Sequence, residues 1–582
     1  MIFEPIFKVR PINNLKDMIN QSVELYSENN AFMLKNADGS YKGVKYSDFK
    51  SDIDGFGTAL INLGLKDKFI AVISENRYEW CVTYLSTVNG AGVIVPLDKE
   101  LPLSEIENLL IRSDASAVVF SKKYEKEMRM LAATLPSIKY FIRMDREERT
   151  SDIGIQEGSD SKFLSFKSLI DKGRNLIASG NRTFIDADID CEKMCSLIFT
   201  SGTTDLAKAV MLSHKNICAD VMGVCQSLYI DSSDSSLSIL PIHHTYECTA
   251  GFLVIIYNGC TMYFNEGLKH ISKNLKEYQP TLLFLVPLIL ENMYKKIWDQ
   301  VNKKMSTKVK MKVALLVSNV LLKAFKIDIR RKLFRQIHEN IGGKVRLIIS
   351  GAAGIDPKVL AGFHALGINV LQGYGLTECS PIVTVNREGI FKHSSIGQPL
   401  PGIEVKLVDV NSEGVGELVV KGNNVMLGYH ENKLATEKVL KDGWFYTGDL
   451  GYMDKKGYFY ITGRKKNVIV TKNGKNIFPE EVETYLNKCQ CILECLVWGK
   501  YDEESNETYV NAQIVPDLEA IKEKLKIDNP SSDDIHKAIS LEVKSVNKIM
   551  PLYKRVREFT IRDTEFEKTT TKKIKRYAEK IS

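Results

Sequence analysis

Residues 196–214, SLIFTSGTTDLAKAVMLSH, join an apolar run to a loop of small hydroxyl residues and then to a lysine. The run at 197–199 predicts a buried strand, and TSGTT at 200–204 predicts the turn at its end. Hydroxyl groups, backbone N–H groups and the nearby Lys208 can together hold phosphate oxygens. The spacing is not that of the G-x4-G-K-[ST] loop, so this stretch alone indicates either a phosphate-binding loop or an ordinary surface loop.

Segments of strand and helix character alternate on both sides of this loop. Before it, the apolar runs predicted as strands are 69–73, 92–96, 117–120 and 140–142, and after it they are 281–287, 345–350 and 368–371. The last two of these run into small-residue turns, GAAG at 351–354 and QGYGLTE at 372–378. Alternation of this kind predicts an α/β fold with parallel sheets, whose ligands bind where the strands deliver such turns.

The style of the sequence changes after Gly397. Short strands separated by glycines follow, at 402–408 and 416–420, and predict a small antiparallel sheet or barrel. A lysine-rich unit then runs from about Arg464 to the end of the chain. Residues 145–190 are polar and predict a surface excursion or a poorly ordered linker.

Composition narrows the class of protein. The 582 residues are too many for one core and predict two to four domains or subdomains. The net charge of +7 is small and spread out, so nucleic-acid binding is not favoured. We expect no secretory signal and no spanning helix, and the eleven irregularly spaced cysteines indicate a reducing cytoplasm. Cys489, Cys491 and Cys495 are interpreted as buried small residues rather than metal ligands.

Four motifs occur in a fixed order at wide separation: SGTT-x3-K at 201–208, GYGLTE at 373–378, YTGDLG at 446–451 and GRKKN at 463–467. This combination closely resembles the adenylate-forming superfamily of acyl-CoA synthetases, adenylation domains and luciferases. The resemblance implies a large N-terminal domain, residues 1–463, with two packed α/β subdomains and a β-barrel. A small mobile α+β domain, residues 464–582, is expected to follow it.

The resemblance also implies a chemistry that uses ATP, Mg²⁺ and coenzyme A. A carboxylate attacks the α-phosphate of ATP to give an acyl-adenylate and pyrophosphate, and a thiol then displaces AMP. Glu378 is expected to bind Mg²⁺ and Thr377 the α-phosphate, while Asp449 and Arg464 are expected at the ribose. The remaining nucleotide-binding residues that the resemblance implies lie in the phosphate loop (Thr200, Ser201, Gly202, Thr203, Thr204, Lys208), the adenine-side loop (Gly351, Ala352, Ala353) and the GYG turn (Tyr374, which would stack on adenine, and Gly375).

The C-terminal residues 567–576, EKTTTKKIKR, resemble the family pattern P-K-T-x-[ST]-G-K-I. Aligned on Ile574, the catalytic lysine is Lys573, although Lys572 stands where the family has glycine; the alternative is a solvated basic tail. The family rotates its C-terminal domain between the two half-reactions. The resemblance places the hinge at Lys466 and brings Gly474 to the thiol tunnel.

The segment LPIHHTYE at 240–247 resembles the family's L-P-x-x-H-x-x-E, which places His244 beside the acyl carboxylate as a pocket wall. Residues 303–335 carry eleven basic residues and one acid around apolar runs. They predict either peripheral contact with an anionic membrane, at its inner face, or an amphipathic helix packed on the core. Their position, and the motifs SENRYEW at 74–80 and LDKELP at 97–102, resemble long-chain fatty acyl-CoA synthetases.

The expected reaction is therefore ligation of a medium- or long-chain fatty acid to coenzyme A in the cytoplasm. Two alternatives remain. The acyl group is transferred to an acyl carrier protein, or the chain is a weakened nucleotide- or fatty-acid-binding homologue.

The motive for the second alternative is Asp205, which stands where the family's phosphate loop has its second glycine. An acid about 6 Å from a doubly charged phosphate costs roughly 5 kcal/mol at an effective dielectric of 20. The charge is tolerated if Asp205 points to solvent or joins Mg²⁺. We therefore expect a working loop with weakened ATP affinity.

Overall fold

The computed structural model describes residues 3–36, 38–145, 162–200, 207–470, 476–502, 507–568 and 574–576. Its contacts divide these residues into two compact units. The first contains the described residues up to 404 together with 421–443, and the second contains 405–420 and the described residues from 444 onward. Residues 405–420 and 444–463 thus group with the C-terminal residues. The predicted boundary between residues 463 and 464 is the position of a hinge, which this grouping does not test, so it stays a prediction.

The helices, in chain order, are α1 (Leu15–Tyr26), α2 (Tyr46–Asn62), α3 (Tyr78–Ser86), α4 (Leu103–Arg112), α5 (Glu125–Thr134), α6 (Phe166–Ala178), α7 (His214–Ser227), α8 (Val254–Tyr257), α9 (Ile271–Tyr278), α10 (Pro287–Asn302), α11 (Met305–Phe325), α12 (Arg330–Leu333), α13 (Arg335–Asn340), α14 (Pro357–Ala365), α15 (Lys433–Val439), α16 (Pro479–Leu486), α17 (Leu518–Leu525) and α18 (Ser532–Ile549).

The strands are β1 (Asn30–Lys35), β2 (Tyr41–Lys45), β3 (Lys68–Ile73), β4 (Gly92–Pro96), β5 (Ala115–Phe120), β6 (Tyr140–Arg143), β7 (Phe163–Ser165), β8 (Met194–Thr200), β9 (Lys208–Ser213), β10 (Ser235–Ser238), β11 (Thr261–Phe264), β12 (Leu282–Leu285), β13 (Leu347–Ser350), β14 (Val370–Gly375), β15 (Ile382–Val385), β16 (Gln398–Pro399), β17 (Glu404–Val408), β18 (Gly416–Lys421), β19 (Gly428–Tyr429), β20 (Leu440–Lys441), β21 (Trp444–Met453), β22 (Phe459–Arg464), β23 (Ile469–Val470), β24 (Asn476–Ile477), β25 (Ile492–Asp502), β26 (Glu507–Pro516) and β27 (Val556–Ile561).

The first unit contains an eight-stranded sheet in the order β19-β9-β8-β4-β3-β5-β6-β7. The strands from β8 to β7 run parallel, and β9 and β19 add an antiparallel edge. Apolar runs without polar alternation form these strands because both faces are covered. Buried Ala71, Val95, Val118, Phe141 and Leu197 contribute to the core of this sheet.

A nine-stranded sheet of the same unit has the order β16-β15-β14-β13-β12-β10-β11-β1-β2. Its central strands β14, β13, β12, β10 and β11 run parallel. Their core includes Leu237, Leu283, Ile348 and Val370. The predicted strands and the α/β class with parallel sheets are therefore confirmed.

The second unit contains an antiparallel sheet in which β18, β21 and β22 are neighbours, as expected for the glycine-separated strands. It also contains a three-stranded sheet, β25-β26-β27, with a core of its own. Cys491 and Cys495 are buried in that core and Cys489 packs against it, which agrees with their interpretation as small buried residues.

The prediction of an excursion or linker over 145–190 is wrong for the residues that form β7 and α6. Helix α6 buries Phe166, Leu169, Ile170 and Gly173. It packs closely on α2, since a Cβ at Gly173 would stand only 1.7 Å from the carbonyl oxygen of Gly55. A short amphipathic face suffices to order this polar segment. Residues 146–161 lie outside the described part of the chain.

Among the described residues, every helix is too short or too polar to cross a bilayer.

Candidate active site

The parallel strands β10, β12, β13 and β14 end at one edge of the nine-stranded sheet. The segments that leave this edge include LPIHHTYE after β10, GAAG after β13 and LTE after β14. Residues 373–378 are all partly exposed, although the strand that leads to them is buried. The sheet thus brings three of the predicted binding segments to the edge where open α/β sheets bind ligands.

The adenine-side loop is built on small residues, as the sequence predicts. Gly351 is buried, and a Cβ there would stand 2.9 Å from Cζ of Tyr246. The Tyr246 hydroxyl donates to the carbonyl oxygen of Ile349 at 2.9 Å, which fixes the ring against the loop. Ala352 has a φ of +70°, a backbone conformation that residues other than glycine rarely adopt. Ala353 is exposed.

The GYG turn needs glycine at position 375. A Cβ there would lie 1.8 Å from the carbonyl oxygen of Pro381, which also accepts the N–H of Leu376 at 2.8 Å. Tyr374 is half-buried at the end of β14. A short 3-10 turn, Thr377–Cys379, follows directly, and the hydroxyl oxygens of Thr377 and Thr245 stand 3.5 Å apart. Thr377 therefore lies next to the segment that carries His244.

Glu378 is held by a residue that the sequence reasoning missed. Tyr429, which is buried and lies on β19, donates its hydroxyl to Oε1 of Glu378 at 2.8 Å. Its ring makes a cation–π contact with Lys208, whose Nζ lies 4.7 Å from the ring centroid. Lys208, Tyr429 and Glu378 thus form a contact chain between two motifs that lie far apart in the sequence. The neighbourhood of Tyr429, MLGYH, carries no pattern that would have marked it.

The phosphate loop is framed by β8 and β9. Thr200 ends β8, Lys208 begins β9, and the two residues are paired across the antiparallel ladder. The Thr200 hydroxyl donates to the carbonyl oxygen of Lys208 at 3.3 Å. The predicted strand leading into this loop is confirmed. Ser201, Gly202, Thr203, Thr204 and Asp205 lie outside the described residues, so their roles stay predictions.

His244 belongs to a cluster with two other residues. Its ring centroid lies 4.3 Å from that of His243, and Nε2 of the buried His243 is 3.5 Å from Oδ1 of Asp98. Burial alone would raise the pKa of Asp98, but the hydrogen bond and charge of His243 lower it well below its usual value. Asp98 lies in the LDKELP motif, yet only the fold shows that it faces the histidines.

Glu247, the acid of the L-P-x-x-H-x-x-E segment, is fully buried. Its Oε1 accepts the hydroxyl of Ser238 at 2.6 Å, and a Cβ on Gly251 would stand 2.6 Å from its carboxyl carbon. Burial raises the pKa of Glu247 to about 8. This carboxyl therefore lies inside the fold, where Ser238 bonds one of its oxygens.

Asp449 and Arg464 lie in the second unit and are paired across the strands β21 and β22. Nε of Arg464 is 2.7 Å from Oδ1 of Asp449, which is buried. The two predicted ribose residues therefore form one ion pair. Lys466 is exposed, while its neighbour Lys465 is bonded to Glu417 at 2.7 Å. Gly474 lies outside the described residues.

The segment that contains Lys573 is anchored at both ends, although residues 569–573 themselves lie outside the described part. Lys568 and Ile574 form an antiparallel bridge. Nζ of Lys568 is 2.6 Å from a carboxylate oxygen of Glu494, and Arg576 is paired with Glu483. Ile574 packs against the small cluster of Leu496, Val515 and Phe566. The catalytic lysine is predicted at residue 573, between these two anchors.

Comparison with known proteins identifies the family. The sequence profile described as AMP-binding enzyme matches residues 20–430 of this chain, more than half of its length.

The chain belongs to the AMP-binding enzyme family.

Among curated relatives of this AMP-binding enzyme, human long-chain-fatty-acid–CoA ligase 1 is 29% identical over 539 residues, which is 88% of this chain and 74% of the relative. Human long-chain-fatty-acid–CoA ligase 6 is 30% identical over 507 residues, 83% of this chain and 70% of the relative. The anthranilate CoA ligase AuaEII, solved with anthranoyl-AMP, superposes with a TM-score of 0.74 at 21% identity, over 97% of this chain and 96% of that one. MatB from Rhodopseudomonas palustris, solved with ATP, superposes with a TM-score of 0.71 at 21% identity, over 97% of this chain and 98% of that one.

The predicted fold of the adenylate-forming enzymes is thereby confirmed. The AMP-binding enzyme described here is an AMP-forming acid–CoA ligase, whose substrates include ATP and coenzyme A. The acid oxygen forms a bond to the α-phosphate while the bond to pyrophosphate breaks. The thiol then forms a thioester while the acyl carbon–oxygen bond to AMP breaks.

The effect of Asp205 in the phosphate loop is testable. Asp205→Gly removes the charge that we predict near the triphosphate, so we expect the Michaelis constant for ATP to fall by about threefold or more. Steady-state pyrophosphate release against ATP concentration measures it. Asp205→Asn, which removes the charge but keeps the shape, is the matched variant and is expected to give most of the same decrease. An unchanged or higher Michaelis constant for ATP in both variants would show that Asp205 does not repel the triphosphate.

Proposed function

We propose that this enzyme ligates a medium- or long-chain fatty acid to coenzyme A. The observation that carries the proposal is the similarity to long-chain-fatty-acid–CoA ligases over 82–88% of the chain, at 27–30% identity. The buried state of Glu247 supports it. A pocket for an amino acid needs a carboxylate to pair with the ammonium group, and Glu247 is instead buried and bonded to Ser238.

The proposed roles of the site residues come from the family resemblance, and the contacts described above are compatible with them. The hydroxyl of Thr377 donates to the α-phosphate, beside the His244 segment that forms one wall for the acyl carboxylate. The phosphate loop and Lys208 hold the outer phosphates, and Tyr374 covers the adenine. Asp449, held by Arg464, accepts the ribose hydroxyls. Lys573 brings a positive charge to the carboxylate and the α-phosphate, where charge builds up during the reaction.

The residues around Glu378 suit Mg²⁺. Mg²⁺ prefers one or two carboxylates together with substrate phosphate and water, and Glu378 is a partly exposed carboxylate beside the phosphate-loop strand β9. Tyr429 satisfies one carboxylate oxygen and so fixes the orientation of the group. When bound, the ion neutralises phosphate charge and makes pyrophosphate a better leaving group.

The substrate is tested with a series of acids from acetate to stearate, together with benzoate and phenylalanine, each with ATP and coenzyme A. We expect kcat/KM for pyrophosphate release to rise with chain length by about tenfold for each two or three methylenes that the pocket buries, up to its full depth. A maximum at an aryl or amino acid would contradict the proposal.

The same assay decides the acceptor. We expect acyl-CoA to form with free coenzyme A, at a higher rate than transfer to a phosphopantetheinylated carrier protein. If the carrier is acylated faster than coenzyme A, the carrier protein is the acceptor and the proposed reaction is wrong on this point. If calorimetry shows ATP binding but none of the acids causes pyrophosphate release from ATP, the remaining hypothesis is a catalytically weakened binding homologue.

A further inference from the structure

Helix α11 has two apolar faces, of which only one is needed for the fold. Met311, Ala314 and Leu315 pack on the core of the nine-stranded sheet, and Ser318 is the buried residue of the helix. These positions recur every three or four residues and so lie on one side of the helix. This side explains how α11 is attached to the first unit.

The other side of α11 carries an exposed apolar stripe. Its members, with their exposed fractions, are Met305 (74%), Val309 (54%), Val313 (54%), Leu316 (67%), Val317 (43%) and Val320 (52%). They also recur every three or four residues, and at 1.5 Å per residue the stripe is about 22 Å long. An exposed apolar surface of this extent is uncommon on a protein that meets only water, and it marks a binding surface.

Charge identifies what the stripe binds. Lys308, Lys310 and Lys312 lie on the same helix at its borders, and the helix 305–325 has four lysines and no acid. Across 303–335 there are eleven basic residues and one acid. An apolar stripe bordered by lysines suits a helix that lies in the plane of a bilayer, because the lysine stems cover apolar surface while the ammonium groups reach lipid phosphates.

We propose that the exposed stripe of α11 docks on an anionic phospholipid bilayer, with the helix lying parallel to the membrane. The helix cannot span a bilayer. It belongs to the same unit as Tyr246, Gly351 and Thr377, so docking holds the site-bearing unit at the surface in which long-chain acids dissolve. Vesicle binding needs no turnover, so the inference goes beyond the proposed reaction and can fail separately from it.

The test uses the full chain and two kinds of vesicle, one of phosphatidylcholine alone and one with about 30% phosphatidylglycerol. Leu316→Glu/Val320→Glu places two acids on the stripe. Leu434→Glu/Leu541→Glu, at residues 74% and 61% exposed on α15 and α18, is the matched control. Flotation with the vesicles measures affinity, and thermal unfolding checks that each variant folds.

We expect the chain to bind the anionic vesicles and not the neutral ones, and to be released at about 0.5 M salt. The stripe variant should bind at least about tenfold more weakly, whereas the control should stay within about twofold. Turnover of octanoate without vesicles should be the same in both variants. Equal vesicle binding by the two variants, or a dimer of the parent chain that only the stripe variant breaks, would overturn the proposal.

Discussion

Replacement of Glu378 by glutamine is expected to lower kcat for acyl-adenylate formation by about 100-fold or more, the range found when one preorganised group that stabilises charge in the transition state is lost. Glutamine keeps the size of the side chain and can still accept the hydrogen bond from Tyr429. Only the negative charge is removed. Single-turnover pyrophosphate release at a series of Mg²⁺ concentrations measures the effect, and we expect the Mg²⁺ dependence to shift to higher concentrations.

Tyr429→Phe is the informative companion of Glu378→Gln. It leaves the carboxylate charged but removes the hydroxyl that orients it, so we expect a smaller loss, about 10-fold. The Mg²⁺ dependence should move in the same direction. If Glu378→Gln turned over normally with an unchanged Mg²⁺ dependence, the assignment of Glu378 as the magnesium residue would be wrong. If Tyr429→Phe lost as much activity as Glu378→Gln, Tyr429 would have a role of its own in the reaction.

Lys573→Ala is expected to have the other large effect. The first half-reaction should lose about 100-fold or more, because the positive charge beside the carboxylate and the α-phosphate is gone. The second half-reaction, started from synthetic acyl-adenylate and coenzyme A, should change by less than about threefold, because this lysine is then withdrawn. Rapid-quench assays of the two half-reactions separate these effects.

Lys572→Ala is the matched control. The two lysines are adjacent, and only the alignment of the family pattern on Ile574 assigns the catalytic role to Lys573 rather than to Lys572. Ile574 is packed in the cluster with Phe566, and Lys568 is tied to Glu494, so the described residues on both sides of 569–573 are held by contacts of their own. We expect Lys572→Ala to retain most of the activity. The reverse result, with Lys572 essential and Lys573 dispensable, would show that the family pattern was aligned one residue off.

Much of the fold could be predicted from the sequence because its strands are short apolar runs that end in glycine or small residues. The run 92–96 is a strand with the predicted bounds, and the strand leading into the phosphate loop ends at Thr200 as expected. The prediction of an excursion or linker is wrong for 163–178, because four buried positions occur within a segment that is polar on average. The close approach of Gly55 and Gly173 depends on a contact between distant residues, which composition does not reveal.

The candidate site divides in the same way. Residues within the four motifs could be assigned by resemblance, since each motif is contiguous. The contacts that orient them could not. Tyr429 reaches Glu378 only because β19 pairs with β9, and Asp449 meets Arg464 only through the register of β21 and β22. Asp98 reaches His243 from a loop more than a hundred residues away. Register and long-range packing decide these pairs, and neither can be derived from local spacing.

One measurement tests the central claim, activation of a medium- or long-chain acid through an acyl-adenylate, most directly. Octanoate, palmitate and benzoate, all labelled with ¹⁸O in both carboxyl oxygens, compete in one reaction with ATP, Mg²⁺ and coenzyme A, and mass spectrometry identifies the thioesters and the AMP. We predict octanoyl-CoA or palmitoyl-CoA as the main product and one ¹⁸O atom in each AMP, since the acid oxygen that attacks phosphorus stays there. Benzoyl-CoA as the main product, or AMP without label, would contradict the account.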